Sequence, residues 1–322
     1  MNLLKFVFSK DDRRISFIHC MIFAIILMVV LHILGRHTNP RQDNYQSRYI
    51  DEDYDEGIKK RFPGMLIIGV QKCGTQALAM FLQLHPKLKR AGNGEIHFFD
   101  RPEKFNKGLD FYKSLMPETD YTEIAFEKTP AYFDMADPRE IHKMNKNVKI
   151  VIIFCDPVKR SVSAFDHRRD HGVFPENSSF IDLALDGDKV NTSCDIIYRG
   201  IYIEALQKYH NYFNEDQFLY IDQESFKTDP VKILRNVEQF LNITPFFKNS
   251  QFYFNETVGQ FCIEPTYIYT SPRLDQQSGC MFSNKYRKHL PLEPHVEKKL
   301  IDFYNPLNKK LYQFTGIKYS WM

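Results

Sequence analysis

Metal chemistry and nucleic-acid binding are the first functions this chain argues against. None of its six Cys falls in a CxxC pair and His does not cluster with Cys, so no zinc site is readable. Lys and Arg outnumber Asp and Glu by only 43 to 40, which leaves no basic domain for a nucleic acid. Internal repeats and low-complexity tracts are absent, so repeat arrays are excluded. Long apolar runs are scarce. The exception is residues 15–34, which pass 20 positions without Asp, Glu, Lys or Arg.

As a helix that run spans about 30 Å, the thickness of bilayer hydrocarbon. A cleaved signal peptide competes with this reading, but its apolar core is usually about 7–15 residues and ends at a small-residue site. Here the run ends Leu34-Gly35-Arg36-His37. The expectation is an uncleaved transmembrane anchor over 15–34, a tail over 1–14 and a polar stem over 35–61. Basic residues flank both sides (Lys5, Lys10, Arg13 and Arg14 before; Arg36, Arg41 and Arg48 after), so the charge rule orients it weakly. Four Asn-X-Ser/Thr sequons, at Asn177, Asn191, Asn242 and Asn255, add to the case for a lumenal body. Cys262 and Cys280 flank a turn-rich segment with Pro265, Pro272 and Gly279. A disulfide there suits an oxidising compartment, and two buried thiols are the alternative.

From residue 62 onward the pattern becomes α/β. Met65 to Val70, Val148 to Phe154 and Phe218 to Ile221 are short apolar runs that read as strands. Between and after them lie helical patterns over Pro138 to Met144, Val158 to Arg169, Ile201 to Phe213 and Pro230 to Leu241. Alternation of this kind predicts one domain over 62–322 with a central parallel sheet flanked by helices. Ligands of such sheets bind at the carboxyl ends of strands, where Lys72, Asp156 and Asp222 fall.

The segment Gly69-Val70-Gln71-Lys72-Cys73-Gly74-Thr75-Gln76 joins the first strand to a helical pattern. Strand, loop and helix N-terminus form a recipe for holding phosphate. It is not a Walker A loop, because Lys72 precedes Gly74 and Thr75 follows it directly. Glu95-Ile96-His97-Phe98-Phe99-Asp100 places a carboxylate and an imidazole two residues apart, which suits acid–base work. Lys128, in Glu127-Lys128-Thr129-Pro130-Ala131-Tyr132-Phe133, can neutralise developing negative charge. Arg160 and Ser163, three apart after Asp156-Pro157, share a helix face that could clasp a second phosphate.

Taken in order, these motifs resemble those of the Golgi heparan sulfate sulfotransferases, most closely the glucosamine 3-O-sulfotransferases, across essentially all of 62–322. The resemblance implies a P-loop-like phosphosulfate-binding loop and 3′-phosphoadenosine 5′-phosphosulfate as donor, with no metal. It implies that Lys72, Cys73, Gly74, Thr75 and Gln76 form the loop at the 5′-phosphosulfate. Ser163, beside Cys155, takes the 3′-phosphate. Lys285, Tyr286, Arg287, Lys288 and His289 close over the nucleotide. Glu95 is the catalytic base, supported by His97, Asp100 and Lys128. The acceptor, heparan sulfate, meets Glu95, Ile96, His97, Phe98, Phe99, Asp100, Lys128 and Thr129. The implied setting is a single-pass type II protein of the Golgi membrane with a lumenal catalytic domain.

The chain departs from the family at several of these positions. Cys73 stands where Gly is usual, Cys155 where most 3-O-sulfotransferases carry Arg, Tyr286 where Gly is usual and Val258 where Lys is common. A side chain at 73 is expected to crowd the phosphate. Two other readings follow: N-sulfotransferase-like activity on the same polymer, and binding of heparan sulfate without turnover.

Overall fold

A computed structural model describes residues 57–322 except Asn93, Thr270 and residues 283–290. The expected anchor, tail and most of the stem lie outside the described residues. Among the described residues, no helix is long and apolar enough to cross a membrane.

Five parallel strands make the central sheet: β1 (Met65–Gly69), β2 (Leu88–Arg90), β3 (Ile124–Lys128), β4 (Lys149–Phe154) and β5 (Phe218–Asp222). Their order is β2-β3-β1-β4-β5. β1 is buried throughout and β4 at every position after Lys149, because helices cover both faces of a parallel sheet and an apolar residue is wanted at each position. Ile67 pairs with Lys128, and Phe154 with Asp222. The register therefore gathers the carboxyl ends of β1, β3, β4 and β5 along one rim.

The helices that matter for the site begin at that rim. α1 (Thr75–Leu82) follows Gly74, whose φ of 94° is the left-handed conformation that glycine adopts readily. α2 (Pro138–Met144) and α3 (Pro157–Asp170) each open on an Asp-Pro pair. The Asp156 carboxylate accepts from Val158 N at 2.9 Å, and Pro157 gives up an N–H the first turn cannot use. α4 (Tyr202–His210) and α5 (Pro230–Leu241) complete the flanks, with Asp229 capping Lys232 N at 3.0 Å.

A 22-residue helix, α6 (Pro294–Thr315), was not expected from the sequence. It buries Val296, Leu300, Tyr304, Asn308 and Leu311, a stripe at spacings of three and four. Its N-terminal half packs with Val158, Val162 and Phe165 of α3 in a second core cluster. Tyr304 donates to Ile197 O at 2.7 Å, and its ring covers Gly200, where a Cβ would meet the phenolic oxygen at 2.7 Å.

Beyond the sheet, β6 (Phe252–Asn255) and β7 (Gln260–Ile263) form an antiparallel hairpin. Cys262 on β7 is bonded to Cys280. Gly279, beside that bridge at φ 65°, lies where a Cβ would come within 1.9 Å of Ile263 O.

Candidate active site

The loop after β1 is tied back to the sheet by Val70 N to Ile153 O at 2.9 Å and turned by Cys73 N to Val70 O at 3.1 Å. Lys72, like Gly74, is left-handed, with φ 74°. Lys72, Gly74, Thr75 and Gln76 line a cavity of about 280 Å³. Ser163 and His167 of α3 stand on the same cavity, as do Glu95 and Lys128. α1 has no acidic residue in its first turn, so no carboxylate from that turn offsets the positive end of the helix.

Glu95 lines the same cavity. Lys128 Nζ donates to its Oε1 at 2.6 Å, and His97 Nε2 lies 3.2 Å from its Oε2. His97 Nδ1 meets Asp100 Oδ2 at 2.7 Å. Burial works against ionisation of Glu95, but the His97 hydrogen bond and the Lys128 charge outweigh it and hold the carboxyl at about 2. The Asp100 and Glu95 hydrogen bonds raise His97 to about 9. Burial lowers Lys128 to about 8 in spite of the Glu95 charge. At neutral pH the group is a carboxylate held between an imidazolium and an ammonium, and Glu95 keeps enough exposure to meet a ligand.

The segment carrying Glu95 is positioned from beneath. Glu127, fully buried on β3, accepts from Tyr112 OH at 2.6 Å, Thr129 Oγ1 at 2.5 Å and Tyr132 OH at 3.1 Å. Thr129 Oγ1 in turn accepts the amides of Ile96 and His97 at 3.1 and 3.3 Å, and Tyr132 OH accepts Phe98 N at 2.8 Å. This network holds His97 at φ 57°, a conformation uncommon for residues with a side chain.

Several expected site residues play other parts. Phe98 and Phe99 are buried in an aromatic cluster with Phe105 and Tyr112, so they form core beneath the loop and not an acceptor surface. Thr129 is fully buried and acts on the loop from below. Ile96 is partly buried, and its carbonyl accepts Lys104 Nζ at 2.5 Å. Asp100 acts through His97. Arg160 does not clasp a phosphate with Ser163: it is 1% exposed and donates to Ile196 O, because its side of α3 faces the second core cluster.

Cys73 and Cys155 are corrected together. Both are buried, neither lines the cavity, and they are bonded to each other. The Cys73 side chain therefore turns beneath the loop, away from the space for a phosphate. Lys285, Tyr286, Arg287, Lys288 and His289 lie outside the described residues.

Sequence reasoning assigned no role to Glu127, Tyr132, Arg90 or Arg273. The first two stood inside a quoted motif, and strand alternation over β3 would have turned Glu127 and Lys128 to opposite faces. Arg90 ends β2 and donates to Gln83 and Gln76 at 3.1 and 3.3 Å; burial lowers it to about 10. Arg273 lines the cavity, and its charge opposes those of Lys128 and Arg90. No periodic signal marked either residue. Among the sequons, Asn177 and Asn242 are exposed, whereas Asn191 donates to Leu183 O at 3.1 Å and Asn255 to Cys280 Sγ at 3.5 Å.

Comparison with known proteins gives consistent matches. Residues 63–315 match the sequence family described as "Sulfotransferase domain". The chain is 35% identical over 270 residues to human heparan sulfate glucosamine 3-O-sulfotransferase 5, covering 82% of this chain and 75% of that protein. It is 36% identical over 271 residues to mouse heparan sulfate glucosamine 3-O-sulfotransferase 3A1, covering 83% and 66%. Among solved structures, a sulfotransferase from Alicyclobacillus acidocaldarius superposes with a TM-score of 0.60 at 20% identity, over 80% of this chain and 98% of that one, a likeness of fold.

Proposed function

Because the chain belongs to the sulfotransferase family, among the heparan sulfate glucosamine 3-O-sulfotransferases, we propose that it moves a sulfo group from 3′-phosphoadenosine 5′-phosphosulfate to the 3-hydroxyl of glucosamine in heparan sulfate, with Glu95 as general base. The observation that carries this reading is a single cavity lined both by a phosphate-type loop and by the Glu95 carboxylate with its Lys128 partner.

A sugar hydroxyl is a poor nucleophile until its proton is taken. Glu95 removes that proton as the oxygen attacks sulfur. One S–O bond forms, the S–O bond to the 5′-phosphate breaks, and the proton rests on Glu95. Lys72 and the α1 amides offset the charge growing on the leaving phosphate. On this reading Ser163 and His167, which line the same cavity, take the nucleotide's other phosphate. Lys128 and His97 keep Glu95 ionised and aimed. Their hold also makes it a weak base at rest, so the acceptor hydroxyl must displace part of that hydrogen bonding as it enters.

Binding without turnover draws its motive from Cys155 and Tyr286. Cys155 is bonded to Cys73 and does not line the cavity, and Tyr286 lies outside the described residues. Two disulfides also favour an oxidising compartment, which supports the type II Golgi reading with 15–34 as anchor and the sequons as glycosylation sites. The test is the full chain incubated with radiolabelled donor and heparan sulfate, followed by disaccharide analysis. Label at glucosamine O-3 supports the assignment. Label at nitrogen points to the N-transfer alternative, and retained polymer binding with no label points to the lectin-like one.

A further inference from the structure

The Cys73–Cys155 bond joins two segments on which the donor end of the cavity depends, 82 residues apart in sequence. Cys73 stands between Lys72 and Gly74, at φ 74° and 94°. A lysine keeps a left-handed backbone where its surroundings over-determine it. The amide links from Val70 to Ile153 and from Cys73 to Val70 supply part of that constraint. The covalent bond to Cys155 adds a tether at the residue next to Lys72.

The other end of the bond is equally placed. Cys155 follows β4 directly and precedes Asp156, the cap of α3, the helix that brings Ser163 and His167 to the cavity. Tyr202 OH donates to Cys155 O at 2.9 Å and lies 3.9 and 4.0 Å from the two sulfurs, which closes the bridge off from beneath. Loop and helix are thus linked through the bridge, and neither Cys73 nor Cys155 lines the cavity.

We propose that the Cys73–Cys155 disulfide is a positioning strap that sets affinity for the bisphosphorylated adenosine nucleotide, by fixing the Lys72–Thr75 loop against the start of α3. It is a positioning element and touches no reacting atom. The proposal rests on the reading that this cavity takes the donor.

The test begins with non-reducing peptide mapping of the full chain, in which Cys73 and Cys155 are expected in one linked peptide pair. Free thiols at both positions would overturn the proposal. Next, 3′-phosphoadenosine 5′-phosphate is titrated calorimetrically into the wild type and into the Cys73→Ala/Cys155→Ala variant. The expected result is about a tenfold weaker Kd and a donor KM raised to match, with kcat at saturating donor within about threefold and acceptor KM unchanged. Amide hydrogen exchange over residues 72–76 should be faster in the variant and slow again when the nucleotide is added. Should the Ala pair fail to fold, Cys73→Gly/Cys155→Val is read in the same way. A purely structural bridge would lower Tm and leave Kd and donor KM unmoved, which overturns the strap alone. A wild-type chain that does not bind the nucleotide overturns the donor reading and the strap with it.

Discussion

Thr129 gives its hydroxyl proton to Glu127 at 2.5 Å and, with the same oxygen, receives the amides of Ile96 and His97. A buried carboxylate thereby fixes which way that hydroxyl points, and the hydroxyl fixes the backbone beside Glu95. Thr129→Val keeps the shape and removes the acceptor. The cost is about 1–3 kcal/mol of stability for the unpaired amides. The kcat should fall at least tenfold with little change in donor KM, and Thr129→Ser should restore it. Unchanged kcat in the Val variant would show that the loop needs no such support.

Glu95→Gln retains the volume and loses the base. Transfer should drop by about 10²–10⁴, the usual worth of a positioned proton acceptor. Nucleotide affinity, measured calorimetrically, should stay within about twofold. Substantial activity in this variant would place the base elsewhere.

The pH profile of kcat/KM should carry the mark of Lys128. Glu95 is ionised throughout the working range, because its carboxyl is held at about 2. Lys128 loses its proton as pH rises through about 8, and with it the charge beside Glu95. Activity should therefore be level on the acid side and fall on the alkaline side. Lys128→Arg should move that limb upward, since a guanidinium stays charged. An identical alkaline limb in the Arg variant would remove Lys128 from the assignment.

His97 should leave a signature in stability. Its folded-state pKa, about 9, lies above the ordinary 6.5. The folded state thus binds the extra proton, and the contribution is complete below about pH 6.5 and lost as pH rises through about 9. Screening at this partly exposed site leaves about 1–2 kcal/mol. Urea titrations of wild type and His97→Gln across that window should differ most at its acid end. Parallel curves would mean that the ion pairs contribute nothing net.

The sequence made some of this legible and hid the rest for physical reasons. Strands β1, β4 and β5 showed as apolar runs, and α2 and α5 began and ended where their Asp-Pro openings and apolar spacing placed them. β3 was masked because it carries Glu127 and Lys128, one turned to a buried network and the other to the cavity. β2 has only three residues, too few for a period to show. α6 runs through Pro306, a residue that reads as a break. The site was legible as an order of short motifs. Adjacency within a motif misled at Phe98 and Phe99, because the loop offers Glu95 to the cavity and turns the following phenylalanines into the core. The partnership of Cys73 with Cys155 depends on the β1–β4 pairing, which no local pattern announces.

The Tyr304 ring rests directly on Gly200. That contact seats α6 against the turn before α4, with the absence of a side chain at 200 setting how far it enters, while α6 packs on α3 as well. A methyl group there would lever the C-terminal helix outward and slacken the helix that carries Ser163. Harm at this position would therefore resemble a binding defect while originating in a hinge of packing that no substrate touches.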